Sequence, residues 1–164
     1  MIIGLVTIIG TVIAGSFFEW FVHNGMHLSP EYERLHKHEA HHGDFPPKAY
    51  KNPDHAPGKV QLPNWTVILT VTPFTVVGLV ISKLTSHYEI VVFAFLTSAF
   101  YHIAYQYVHT CFHVPKGRWF EKTALYGDMD RYHHVHHVKE MEFGLTRNLC
   151  LLCPIADCIM GTRA

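Results

Sequence analysis

Ten histidines fall into four short boxes built on two repeating spacings. His23 and His27 form HxxxH, and His38, His41 and His42 form HxxHH; His109 and His113 repeat the first spacing, and His133, His136 and His137 the second. On a helix, residues three or four apart share a face, with Cβ atoms about 5–6 Å apart. Each box can therefore turn two or three imidazoles toward one metal ion. Ten imidazoles overfill the shell of a single ion; the count fits two ions, each with about five nitrogens or with fewer and some open positions. Imidazole suits iron, zinc and copper. An all-nitrogen site with vacant positions suits ferrous iron that binds dioxygen, a different design from the carboxylate-rich sites of soluble di-iron bundles. The order HxxxH, HxxHH, HxxxH, HxxHH reads as a duplicated unit and argues against a chance cluster.

Other residues are candidates for supporting roles. A metal-bound imidazole needs a partner for its second ring nitrogen. Glu19, four residues before His23, is expected to orient an imidazole, and Asp130, three before His133, is a weaker candidate whose alternative is a solvated charge at a helix start. His102, Gln106, His109 and His113 follow one helical stripe. His102 lies deepest, as a further ligand, a wall of a substrate channel, or a packing partner for another polar side chain. His36 and His134 are offset from the ligand faces, His55 reads as a solvated loop residue, and His87 as an unremarkable one in the opposite loop.

The elements that position these boxes are apolar. Ile2 to Phe18 carries no charge, and continued through Val22 it spans roughly 30 Å as a helix, the thickness of a bilayer core. Trp65 to Ile81 and Ile90 to Val108 are two more such runs, the first containing Pro73, and the short link between them makes a helical hairpin. One crossing followed by an out-and-back hairpin brings every histidine box to the same membrane face. Twelve of the thirteen Lys and Arg residues lie on that side and only Lys83 on the other, so the face is expected to be cytoplasmic. Between His42 and Trp65, Pro46, Pro47, Pro53, Pro57 and Pro63 forbid a long helix and suggest a loop over the site. The fold class expected is all-α and integral to the membrane: about three spans and a cytoplasmic helical cap carrying a histidine-rich dimetal site, in one domain over residues 1–164.

Composition bounds the function. Charged residues are 16% of the chain and the formal net charge is zero, which gives no electrostatic footprint for nucleic acid. Cys111, Cys150, Cys153 and Cys158 read as reduced thiols, and the lone CxxC at Cys150 and Cys153 lacks the second pair of a structural zinc site.

These residues resemble the fatty acid hydroxylase superfamily, which includes sterol desaturases and sterol and carotenoid hydroxylases. "EYERLHKHEAHH" resembles its sterol branch, "YQYVHTCFH" with "DRYHHVHH" its fatty acid 2-hydroxylase end, and "FGLTRNLCLLCPIADCIMGT" its closing segment, in which Asp157, Gly161 and Thr162 match and Ala156 replaces the usual tryptophan. The resemblance implies a membrane-embedded oxygenase with two irons, or zinc in isolated protein, using dioxygen as co-substrate. It also implies a lipid substrate and a separate electron donor such as a ferredoxin, or a b-type cytochrome with its reductase. Hydroxylation is the reaction expected. Lipid desaturation on the same scaffold, and a non-enzymatic membrane metal or haem protein, are the rivals. Haem carriers place one opposed histidine pair per haem, which clustered HxxHH boxes outside the spans do not match.

Overall fold

The computed structural model describes residues 1–29, 31, 38–144 and 146–164, without the side chains of residues 59 and 141–143. His36 lies outside the described residues. The described residues form helices and contain no strand: α1 (Ile2–Leu28), α2 (His38–Asp44), α3 (Thr66–Thr85), α4 (Glu89–His113), α5 (Ala124–Phe143) and α6 (Ile155–Met160).

Three of these, α1, α3 and α4, are long and apolar enough to cross a membrane. Ile2, Leu5, Val6, Val76, Val80, Leu96, Phe100 and Ile103 point outward, so the surface of this part is the kind lipid covers. Polar side chains within the spans close on their own helices: the hydroxyls of Thr7, Thr75 and Thr110 donate to the carbonyls of Ile3, Val71 and Gln106. The sequence reading ends the first and third spans near Val22 and Val108. The structure continues both without a break, to Leu28 and His113. At 1.5 Å per residue, the 27 residues of α1 reach about 40 Å, roughly two turns more than a bilayer core requires. Those extra turns carry His23 and His27, and the matching turns of α4 carry His109 and His113.

The hairpin of α3 and α4 is the most extensive helix pairing among the described residues. Ser86 turns it with a left-handed backbone (φ 60°). At Gly78 a Cβ would stand 2.9 Å from the Ala94 Cβ and 3.1 Å from the Val91 Cα, so only glycine admits this approach. Pro73 is accommodated inside α3. α1 packs along α4, and α6 packs against α1. The proline-rich loop holds only two short 3-10 turns, Pro47–Ala49 and Pro57–Lys59. Gln106 pins this loop to α4: its amide donates to the Leu62 carbonyl at 3.2 Å and its oxygen accepts from the Leu62 N–H at 3.0 Å.

Candidate metal centre

All ten box histidines meet at one end of the molecule, where α1 and α4 emerge and α2 and α5 lie across them. They separate into two groups. His23, His27, His38 and His136 form one and His41, His109, His113 and His133 the other, with one ring nitrogen of each residue within 4.8 Å of those of its group. Neither HxxHH box stays whole. Each group takes the HxxxH pair and the first HxxHH histidine of one repeat, and the middle HxxHH histidine of the other. His41 and His136 are thus exchanged between repeats, so the duplicated sequence folds as an interlocked pair. The last histidines of the two boxes, His42 and His137, stack on each other between the groups, with ring centroids 4.2 Å apart.

The hydrogen bonds at Nδ1 fix what the rings can offer. Carbonyl oxygens only accept, so the Nδ1 atoms of His23 (2.6 Å from the Leu149 O), His136 (2.7 Å from the Arg147 O), His113 (3.0 Å from the Tyr50 O) and His137 (3.0 Å from the Phe45 O) must carry protons. The Nδ1 of His27 faces the Glu140 carboxylate at 3.2 Å. A neutral ring protonated at Nδ1 has a bare lone pair at Nε2. The Nε2 atoms converge: that of His38 stands 3.0 Å from each of the His23, His27 and His42 Nε2 atoms, and the His42 Nε2 stands 3.1 Å from that of His136. In the second group the His113 and His133 Nε2 atoms are 3.1 Å apart. Neither nitrogen of buried His41, nor the Nε2 of His137, has a hydrogen-bond partner among the described residues. Lone pairs facing one another cannot all be satisfied by protons, whereas a cation between them satisfies all at once. Burial, reinforced by neighbouring imidazoles, pushes His38, His41, His133, His136 and His137 well below the ordinary histidine range, and His42 to about 2. Neutral rings are the form that ligates a metal. The residues present therefore fit two cations.

A strap of chain after α5 supplies two of the carbonyls. Asn148, in a left-handed conformation (φ 51°), lies between Arg147 and Leu149, and its side-chain amide donates to the Tyr132 carbonyl. Buried Asp157 accepts from the Leu149 and Cys150 N–H groups at 3.0 and 2.7 Å, from the Tyr132 hydroxyl and from Thr162. From the other side Glu19 accepts from the Leu151 N–H and, at 2.7 Å, from the Tyr101 hydroxyl. This corrects the expected role of Glu19: both its oxygens hold the strap and α4, and it acts on His23 only through the strap. Asp130 forms an ion pair with Lys51, its Oδ2 accepting at 2.6 Å, while its buried Oδ1 has no hydrogen-bond partner among the described residues. Among the described residues Glu140 is the carboxylate that faces a boxed imidazole, that of His27. His102 joins neither group; its Nδ1 lies 3.0 Å from the Thr70 hydroxyl. His134 packs at a tilt against the Tyr50 ring, with centroids 4.7 Å apart, outside both groups, and His87 is exposed beside Glu89. His55, expected to be solvated, sits edge-on to Phe45 at 5.0 Å. Cys150 is a buried free thiol bonded to the Ser16 carbonyl.

Two cavities adjoin the groups. A space of about 510 Å³ lies under the proline-rich loop, lined by His23, His38, His41 and His109 and by Gln61 and Asn64. An apolar cavity of about 70 Å³ runs from His23 and Met26 into the membrane-spanning part, between α1, α3 and α4. Tyr101 and Tyr105 line it, whereas Phe95 and Phe100 face outward.

Neither the curated proteins nor the solved structures contain a match to this chain. The sequence model of the family described as fatty acid hydroxylase matches residues 8–162, a stretch that includes every box and the strap. With nearly the whole length matched, and with the histidines that carry the resemblance gathered into two metal-sized groups, the chain belongs to the fatty acid hydroxylase family.

Proposed function

We propose that the protein is a membrane-bound di-iron oxygenase that hydroxylates a lipid C–H bond (fatty acyl, sterol or carotenoid) with dioxygen and electrons from a separate donor. The observation that carries this reading is the pair of buried all-histidine groups whose Nε2 lone pairs converge beside an apolar cavity. His23, His27, His38 and His136 would hold one iron and His41, His109, His113 and His133 the other, with His42 and His137 in reach of both. When bound, the irons supply the reductive activation of dioxygen. One C–H bond and one dioxygen, with two electrons and two protons, become one C–OH and one water.

The chain supplies the rest. The carbonyls of Leu149, Arg147, Tyr50 and Phe45 and the Glu140 carboxylate keep their rings in the tautomer that leaves Nε2 free. Burial of the boxes keeps water from the reacting carbon. The apolar cavity holds the lipid beside His23. The charge bias supports a cytoplasmic position for the histidine face, within reach of a soluble or peripheral electron donor such as a ferredoxin or a b-type cytochrome.

Expression in hosts that make fatty acids, sterols or carotenoids, followed by lipid mass spectrometry, tests the reading. A dioxygen-dependent product heavier by one oxygen is expected. A product lighter by two hydrogens would make the chain a desaturase, and a haem absorbance in the purified protein would reject an oxygenase of this design.

A further inference from the structure

Three spaces adjoin in series. The polar space under the proline-rich loop and the 70 Å³ cavity share His23, Met26, Leu62 and Tyr105. That cavity in turn shares Thr11, Phe18 and Phe74 with an apolar groove of about 890 Å³ on the lipid-facing side. The groove exists because α1 and α3 each pack along α4 rather than along one another. Where it meets the cavity, the rings of Phe18 and Phe74 stand edge to face with centroids 5.8 Å apart, next to Pro73. Several polar side chains along the cavity bond within the protein: the His102 Nδ1 to Thr70, Ser98 to the Phe95 carbonyl, and Glu19 to Tyr101 and Leu151.

Building on the hydroxylase reading, we infer that a single unbranched acyl chain reaches the metal centre sideways from the bilayer, between α1 and α3 and past the Phe18–Phe74 slit. Its polar end then lies in the space under the loop and its reacting carbon near His23. The exposed surface of the cavity wall is almost wholly apolar, so its occupant is apolar. An apolar cavity of about 150 Å³ takes one benzene ring, so 70 Å³ threads a methylene string but not a fused ring system. Gln61 and Asn64 line only the metal-side space, which sets the polar end of the lipid there. The reacting carbon is therefore a few bonds from the polar end rather than at the far terminus.

Photolabelling without turnover tests the path. The metal-loaded protein in nanodiscs is irradiated with a saturated fatty acid bearing a mid-chain diazirine, and adducts are mapped by peptide mass spectrometry. Adducts on Met26, Phe74 and Tyr101 are expected. They should fall about tenfold in Ser98→Phe and Gly15→Leu, which overfill the cavity, while metal content, read on the same samples, stays at the native level. On the native chain, excess unlabelled fatty acid should suppress these adducts and excess sterol should not. Adducts confined to outward residues such as Val76, Val80 and Phe100, unchanged yield in metal-replete variants, or equal competition by sterol would overturn the path. Lipid hydroxylation with failed labelling would sink only the path; correct labelling with no oxygenated product would sink only the hydroxylase reading.

Discussion

Five of the ten boxed imidazoles have their second nitrogen held among the described residues, and the partners differ in kind. Four carbonyls and one carboxylate do this work. Replacing Glu140 by glutamine removes the one charged partner, that of His27. Affinity for the ion of the first group should fall about 10–100-fold, measured by titration against a competing chelator, with the second group unchanged. Replacing His38 by alanine takes away the nitrogen nearest to three others. Metal content should fall from two ions to about one per chain, whereas His134→Ala, outside both groups, should leave it as it was. The spacings made the ten histidines legible, because i, i+3 and i+4 fix a helix face. They could not assign each ring to an ion, since the exchange of His41 and His136 is a property of how two repeats interlock. Glu19 misled because a position four before His23 shares its face but lies one turn deeper, where the N–H of Leu151 and the hydroxyl of Tyr101 come first. Glu140 was within reach of sequence reasoning: His133, His136, His137 and Glu140 continue a single stripe along α5, and extending that stripe by one turn would have found it.

At the scale of elements, the strap after α5 and the α3–α4 hairpin matter most. The strap carries carbonyls to His23 and His136 but is held by two buried carboxylates. Asp157→Asn replaces charged acceptors of several hydrogen bonds and should cost about 2–3 kcal/mol, read as a lower melting temperature in detergent. It should also loosen the ion of the first group more than that of the second. Gly78→Leu should part α3 from α4 because its Cβ cannot fit beside Ala94 and Val91; folded yield on size-exclusion chromatography is the readout. The spans themselves were legible from their uncharged runs to within a turn or two. Their added turns were not, because apolar runs mark the thickness of lipid and not the length of helix. The strap could not be read as an element at all. Its carbonyls owe their positions to Asp157, Glu19 and the left-handed Asn148, contacts with distant partners and no local periodicity.

At the scale of the whole molecule, one membrane-spanning end and one histidine-lined end are joined by helices that run through both. Packing all ten boxed imidazoles together without cations leaves lone pairs opposed, so the fold and the metals are coupled. Restoring metal to chelator-stripped protein at a thousandfold excess over the dissociation constant should add about 4 kcal/mol for each of the two ions, seen as a large upward shift of the thermal transition, with about half that stabilisation in His38→Ala, which keeps one ion. The shared face of the boxes was legible from topology alone: one crossing plus a hairpin leaves no other arrangement. The most direct measurement is metal analysis with X-ray absorption spectroscopy on anaerobically purified protein. The account predicts two irons per chain, a first shell dominated by imidazole nitrogen and no sulfur ligand. One ion or none, a thiolate shell, or haem would contradict it.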